Sequence, residues 1–390
     1  QQQQQQQQQI GPQAMQTDGQ PCLQEEATQR GDGTQGDATQ GTEPTVQQLP
    51  LPPAKRSKMT DGEPTTSNGS DGISEGQSAN GVSVMQPITS SSCSMQQGED
   101  GWPILPGPVL PDDQLKAAYQ EQLGELCLGS FDSTLPRAYH SAFSSMAAKS
   151  GGSIGGAKMK RLTRELRDLA GRSSLPCDPA ASIFLRHDAD SLDKMRAILT
   201  GPEGTPYAFG CFAFDLFFPS SYPDTAMLVN FETTGQGRAR FNPNLYADGK
   251  VCLSLINTWH ASHESEKWNP SQTTTFQVLV SIQAMILVED PYYNEPAHEA
   301  ARGTDTGRSS AASYNAELTL NTMRYACIDK IKNPPPGFEE AVRRHFRLTR
   351  HKLAATARSW AAAAAETGDE LLAKRSHAAA RELIGLLAAL

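Results

Sequence analysis

The sequence predicts an α+β domain behind a long N-terminal tail: one helix, a four-stranded antiparallel meander, then a set of C-terminal helices. Three observations carry this. Phe212, Phe214, Leu216 and Phe218 alternate with Ala213, Asp215 and Phe217, the period of a strand. Met159, Leu162, Leu166 and Leu169 recur at spacings of three and four, the stripe of an amphipathic helix. Residues 1–100 open with nine Gln and contain no Phe, Trp or Tyr. A segment so poor in large apolar side chains cannot offset its chain entropy, and disorder is expected there.

The elements follow in order. Residues 1–100 are the Gln-rich tail. Residues 101–156 are transitional: Trp102, Leu105, Val109 and Leu110 sit among prolines, 113–128 has helical character, and 150–156 is a flexible break. The helix at 157–169 carries Lys158, Lys160, Arg161, Arg164 and Arg167 around its apolar stripe, either a solvated basic face or a docking face. Strand-like runs occupy 182–187, 194–200, 212–218 and 227–233. The joints between them, such as Gly201-Pro202-Glu203-Gly204, are too short for a crossover helix, so the strands pair antiparallel. Residues 276–288 are apolar nearly all round but include Gln277, Ser281 and Gln283, which fits a buried helix rather than a membrane span. Helices are expected at 313–332, ended by Asn333 and three prolines, and at 338–348. The domain therefore runs over 157–350, with an Ala-rich helical tail at 351–390 made of segments 352–365 and 370–390.

Charge and cysteines narrow the function classes. Residues 1–100 hold 12 acidic and 4 basic residues, so the net charge of −9 belongs mostly to the tail. The near-neutral remainder gives no support to nucleic-acid binding. Seven cysteines, widely spaced and without a Cys-x-x-Cys pair, argue against a disulfide framework or a metal module and for a reducing compartment, cytoplasmic or nuclear. Lys55, Arg56 and Lys58 form a small basic cluster that reads as a nuclear-import signal or a chance grouping. No membrane span and no signal peptide are apparent.

The segment richest in chemistry is 241–254, Phe-Asn-Pro-Asn-Leu-Tyr-Ala-Asp-Gly-Lys-Val-Cys-Leu-Ser. A Pro-Asn turn and a Gly turn lead into a short apolar run that carries Cys252. A thiol placed there can act as a nucleophile. Lys250, two residues earlier in an extended segment, lies on the same side and would favour the thiolate; a solvated lysine is the alternative.

Six landmarks in one order make the chain resemble the ubiquitin-conjugating enzymes. They are Gly201-Pro202…Pro206-Tyr207, Phe218-Pro219…Tyr222-Pro223, Asn242-Pro243-Asn244, Cys252-Leu253, Trp268-Asn269-Pro270 and Asp290-Pro291…Glu295-Pro296. The closer resemblance is to the giant BIR-repeat-containing hybrid conjugating/ligase enzymes. It rests on Phe241–Tyr246, Gly249–Ser254, Asn257-Thr-Trp-His260, Glu266-Lys-Trp-Asn-Pro270, Tyr293-Asn-Glu-Pro296 and Asn333-Pro-Pro-Pro-Gly-Phe338, and covers roughly 160–360. No zinc-ligand cluster of a BIR repeat accompanies it.

The resemblance implies the ubiquitin-conjugating fold and two acyl transfers. An activating enzyme, which consumes the ATP, hands ubiquitin to Cys252 as a thioester, and a substrate lysine then attacks it. No cofactor or metal is implied. Asn244 corresponds to the amide that either serves the transition-state oxyanion or braces the loop, and Glu295 to the carboxylate that orients the lysine and takes its proton. Tyr292 and Tyr293 line the acceptor groove or simply pack. Asn242 replaces a histidine whose role is mainly structural. The basic helix would dock the activating enzyme. Fifteen residues, among them His260, His263, Glu264 and Glu266, separate Cys252 from Trp268, more than in the small conjugating enzymes, and Asp224 stands where an apolar ligase contact is typical. Both departures point away from ordinary ligase docking and toward a hybrid that selects its own substrates, with a separate ligase the other option.

Three other readings stand beside this one. A cysteine hydrolase would pair Cys252 with His260 or His263. A ubiquitin-binding module would keep the fold without the chemistry. A conjugating enzyme for another ubiquitin-like modifier would differ only in its cargo.

Overall fold

The meander is present and gains one strand. The computed structural model of the chain describes residue 98 and residues 101–131, 143, 155–171 and 175–390. The expected tail apart from residue 98, the basic cluster at 55–58 and most of the break at 150–156 lie outside them. β1 (Leu128–Phe131), β2 (Ile183–Asp188), β3 (Lys194–Thr200), β4 (Cys211–Phe217) and β5 (Leu228–Phe231) lie side by side in that order. β2 to β5 are antiparallel, as the short joints require. β1 joins in parallel, Leu128 opposite Leu185 and Phe131 opposite Asp188. It comes from the segment read as transitional, so the four-stranded expectation is corrected to five.

Every residue of β4 is buried, because both faces of the sheet are covered. On one face Phe212 stacks with Phe231 at a ring-centroid distance of 6.5 Å, Phe214 meets Phe231 at a tilt at 5.1 Å, and Phe241 closes edge-on against Phe212 at 5.4 Å. On the other face Arg196 grips Asp215 with Nε and Nη2 at 2.5 and 2.9 Å. C-terminal chain seals this second face. Arg186 Nε donates to the Gly337 carbonyl at 2.9 Å, and its guanidinium sits 4.9 Å from the Phe338 ring. Glu232, beside the Arg196–Asp215 pair, is pushed up to about 7 by burial and by the charge of Asp215, with Arg196 and Asn230 pulling the other way.

The helices complete the layers. In α1 (Asp112–Leu123) the acids Asp112 and Asp113 open the first turn, where the helix dipole favours negative charge, and Leu115, Tyr119 and Leu123 face inward at spacings of four. α2 (Gly156–Ala170) buries Leu162 and Leu169 as expected, but its basic face is partly internal. Lys158 is buried, with Nζ 2.5 Å from the Phe218 carbonyl and 3.8 Å from Asp193. Arg161 turns in to the carbonyls of Pro270 and Thr273. Only Lys160, Arg164 and Arg167 stay exposed, so the docking face is smaller than the sequence suggests. Buried Glu165 accepts hydrogen bonds from Arg161, Tyr222 and both the amide and hydroxyl of Thr275. It thereby fixes α2 to the start of α3 (Thr275–Ser281), which continues through a wide turn, Ile282–Ile286.

The C-terminal part is one assembly rather than a domain end followed by a tail. α4 (Asp305–Asn321) runs on through Thr322–Ile328 to Asp329–Lys332, where the prolines stop it. α5 (Glu339–Glu366) is a single 28-residue helix where two were expected. Its Ala354, Ala357, Ala361 and Ala364 are buried, as are Ala379, Ala380, Leu383, Ile384 and Leu387 of α6 (Glu370–Ala388). Gly368, at φ 78°, makes the bend between them, and Asp369 caps α6 by accepting from the amides of Leu371 and Leu372. His345 of α5 is fully buried. Its Nδ1 lies 2.7 Å from the Tyr119 hydroxyl of α1 and its Nε2 2.9 Å from the Phe209 carbonyl. A carbonyl can only accept, so Nε2 carries the proton, and Nδ1 accepts from Tyr119.

Candidate active site

The chain between β5 and α3 carries Asn242, Asn244, Lys250 and Cys252, and its shape follows from a few local rules. Gly249 sits at φ 92°, and a Cβ there would meet Asn230 Oδ1 at 2.4 Å, so both the angle and the space require glycine. The turn it makes closes with the Gly249 amide on the Tyr246 carbonyl at 3.1 Å and the Tyr246 amide on the Lys250 carbonyl at 3.0 Å. Leu245 is thereby bridged to Val251, and Cys252 comes opposite Asn244. The two are joined twice: the Cys252 amide donates to the Asn244 carbonyl, and Asn244 Nδ2 donates to the Cys252 carbonyl, both at 2.9 Å. The Asn244 side chain is thus a brace of the loop, with one of its two N–H groups committed.

Asn242 supports that brace from below. It is fully buried, gives its amide N–H groups to the Tyr207 hydroxyl and the Ile286 carbonyl, and accepts from the Asn244 amide at 2.8 Å. Asn294 Nδ2 approaches the same oxygen at 3.3 Å. The substitution of histidine by asparagine therefore leaves the loop packed through neutral groups. Downstream, Thr258 folds back on the cysteine strand: its hydroxyl donates to the Val251 carbonyl and accepts from the Leu253 amide.

Cys252 is 1 % exposed. Burial pushes its thiol above the ordinary value; Lys250, a hydrogen bond to Tyr246 and Arg240 act in the opposite direction. The Lys250 charge acts toward the thiolate without offsetting burial, and its exposed side chain places the ammonium 5.4 Å from the Tyr246 ring. His260 and His263 are exposed, and among the described residues no hydrogen bond links either ring to Cys252, as the hydrolase reading would require.

Glu295 precedes the short helix Pro296–Glu299, half-exposed, with Oε2 3.7 Å from Arg240 Nη2. Tyr292 stacks on His298 at 4.1 Å, and Tyr293 is covered by Arg302 at 4.3 Å. Arg240 and Tyr246 escaped the sequence reading. Arg240 donates to the carbonyls of Asn242 and Pro243 at 3.2 and 2.8 Å and lies 4.3 Å from the Tyr246 ring. Their positions two residues on either side of Asn242-Pro243-Asn244 were the available signal. Asp224, in the Tyr222-Pro223 turn, is exposed. Among the described residues no group of three His, Cys, Asp or Glu side chains could hold a metal ion, and no helix is long and apolar enough to cross a membrane.

Residues 161–319 match the family model described as Ubiquitin-conjugating enzyme. The chain is 48 % identical over 206 residues to the mouse and human proteins named Dual E2 ubiquitin-conjugating enzyme/E3 ubiquitin-protein ligase BIRC6, covering 53 % of this chain and 4 % of theirs. It is 41 % identical over 219 residues to Probable ubiquitin-conjugating enzyme protein 17 of Caenorhabditis elegans, 56 % of this chain and 30 % of that one. It is also 41 % identical over 186 residues to Putative ubiquitin-conjugating enzyme E2 38 of Arabidopsis thaliana, 47 % of this chain and 55 % of that one. The matched part of this chain is a ubiquitin-conjugating domain, and the chain spans between 4 and 55 % of the length of these relatives.

Proposed function

We propose that this ubiquitin-conjugating domain takes ubiquitin from an activating enzyme as a thioester on Cys252 and passes it to a substrate lysine. In the first step the Cys252 thiolate attacks the thioester carbonyl of the charged activating enzyme, and that enzyme's thiolate leaves. In the second a neutral lysine amine attacks, the C–N bond forms, the C–S bond breaks, and Cys252 leaves as thiolate. Glu295 orients the amine and takes its proton. ATP is consumed upstream, and the domain needs no cofactor.

The observation that carries this reading is the reciprocal pair of hydrogen bonds between Asn244 and Cys252, which holds one thiol at a fixed place on a loop that Arg240 also ties to Glu295. Burial raises the Cys252 thiol, and Lys250, Tyr246 and Arg240 act against it, lessening the cost of the thiolate that both steps need. Likeness to dual conjugating/ligase enzymes over this domain supports a hybrid role, in which flanking elements choose the substrate without a separate ligase.

The test is to incubate the chain with activating enzyme, ATP and ubiquitin and run a gel without reductant. An adduct that disappears with thiol reagent and in Cys252→Ala is expected. An adduct formed only with another ubiquitin-like modifier and its own activating enzyme would change the cargo. No adduct with any modifier on folded protein would leave a binding module and sink the proposal.

A further inference from the structure

Arg240 spends more contacts than a half-exposed arginine needs. Its Nε and Nη2 reach the carbonyls of Asn242 and Pro243, its guanidinium faces the Tyr246 ring, and the same Nη2 faces Glu295. The Arg240 and Glu295 side chains are 45 % and 37 % exposed, and at 3.7 Å an ion pair so open to water adds little to stability. The arrangement is therefore better explained by geometry than by energy. One planar group joins the Pro-Asn turn, which carries the cysteine strand, to the acidic residue of a different segment. A guanidinium can stack on a ring and fork to oxygens together, whereas an ammonium is a point charge on a flexible stem and cannot.

We propose that Arg240 is a positioning residue for the transfer step: it fixes the Glu295 carboxylate relative to the Cys252 loop, so that a lysine met by Glu295 is already aimed at the thioester. This rests on the function proposed above. Two further facts fit. The Arg240 charge acts on Cys252, in the direction that makes its thiolate a better leaving group. It also acts on Tyr314, whose ring lies 6.0 Å from that of Tyr292 on the Glu295 side. A single cation is thus felt on both sides of the reaction.

The experiment uses the full chain, charged with ubiquitin to completion and then chased with free lysine, so that transfer is read from equal amounts of thioester. Arg240→Ala is expected to slow discharge about tenfold through lost orientation. Arg240→Lys should not rescue discharge, although it should restore the pH profile of Cys252 alkylation by iodoacetamide that Arg240→Ala moves to higher pH. Because Arg240 acts mainly through Glu295, most of its effect should vanish in the double variant: Arg240→Ala/Glu295→Gln should discharge within about twofold of Glu295→Gln alone, the remainder being the direct action of the charge on Cys252. Discharge of Arg240→Ala within about twofold of the parent would overturn the proposal, since the orientation effect would be absent. So would full rescue by lysine, or effects that multiply in the double variant. A parent chain that takes no thioester overturns the functional reading and this role together, whereas normal charging with unchanged discharge overturns this role alone.

Discussion

The seam between the sheet and the C-terminal helices buries its polarity as titratable groups, whereas the Cys252 loop buries its polarity as amides. The seam holds Arg196, Asp215, Glu232 and His345; the loop is braced by Asn242, Asn244, backbone carbonyls and the Tyr207 hydroxyl, whose burial holds it protonated. The difference separates two kinds of pH response. Acid or base can loosen the seam, but the loop stays assembled while the Cys252 thiol titrates. A site whose nucleophile must change protonation state gains from a frame that does not.

The largest expected effect breaks the seam. Asp215→Ala leaves the Arg196 guanidinium buried without its carboxylate and should cost about 3–5 kcal/mol, read as a lower midpoint in urea unfolding. A loss under about 1 kcal/mol would mean that the pair is effectively solvated, and the contrast with the loop would fail. Next is Asn244→Ala. It removes the side-chain brace that holds the Cys252 strand in place, so lysine discharge should fall by about 10²-fold through misplacement of the thioester. Because the brace is uncharged, that factor should be the same at pH 6 and pH 8; a strongly pH-dependent factor would contradict the reading of the loop.

The smallest effect sharpens the seam itself. His345 is held at about 4 by burial, below its unfolded value near 6.5, so it contributes stability that is present above that value and lost as pH falls toward 4. Glu232, at about 7 when folded against about 4.3 unfolded, does the reverse: its contribution is present below 4.3 and lost as pH rises through 7. Between roughly pH 4 and 7 the two slopes oppose each other. Glu232→Gln should unmask the histidine, so that melting temperature falls more steeply on acidification than in the parent. Parallel curves would show that Glu232 is not the opposing group.

Much of this was legible in the sequence where the signal was local. The period of two in β4, the three-four stripe of α2 and the loop around Cys252 needed only neighbouring residues. What escaped depended on distant partners. β1 is four residues, Leu-Gly-Ser-Phe, without a clear alternation, and becomes a strand only because β2 lies beside it. Lys158 looks like a surface residue until the Phe218 carbonyl, 60 positions away, draws it in. α5 read as two helices across Thr349, which is tolerated mid-helix because its hydroxyl donates to the His345 carbonyl one turn back, at 2.8 Å. Arg240 carries no motif of its own; its meaning comes from Glu295, brought near by the fold.

The hydrogen bond from Tyr119 to His345 spans 226 positions of sequence. At a synthesis rate of about 5–20 residues per second, α1 would leave the ribosome roughly 10–45 s before its partner in α5 exists. During that interval α1 lacks the cover that α5 supplies, and the sheet lacks the chain that seals its second face. The emerging polypeptide thus presents apolar surface for far longer than a small domain takes to collapse.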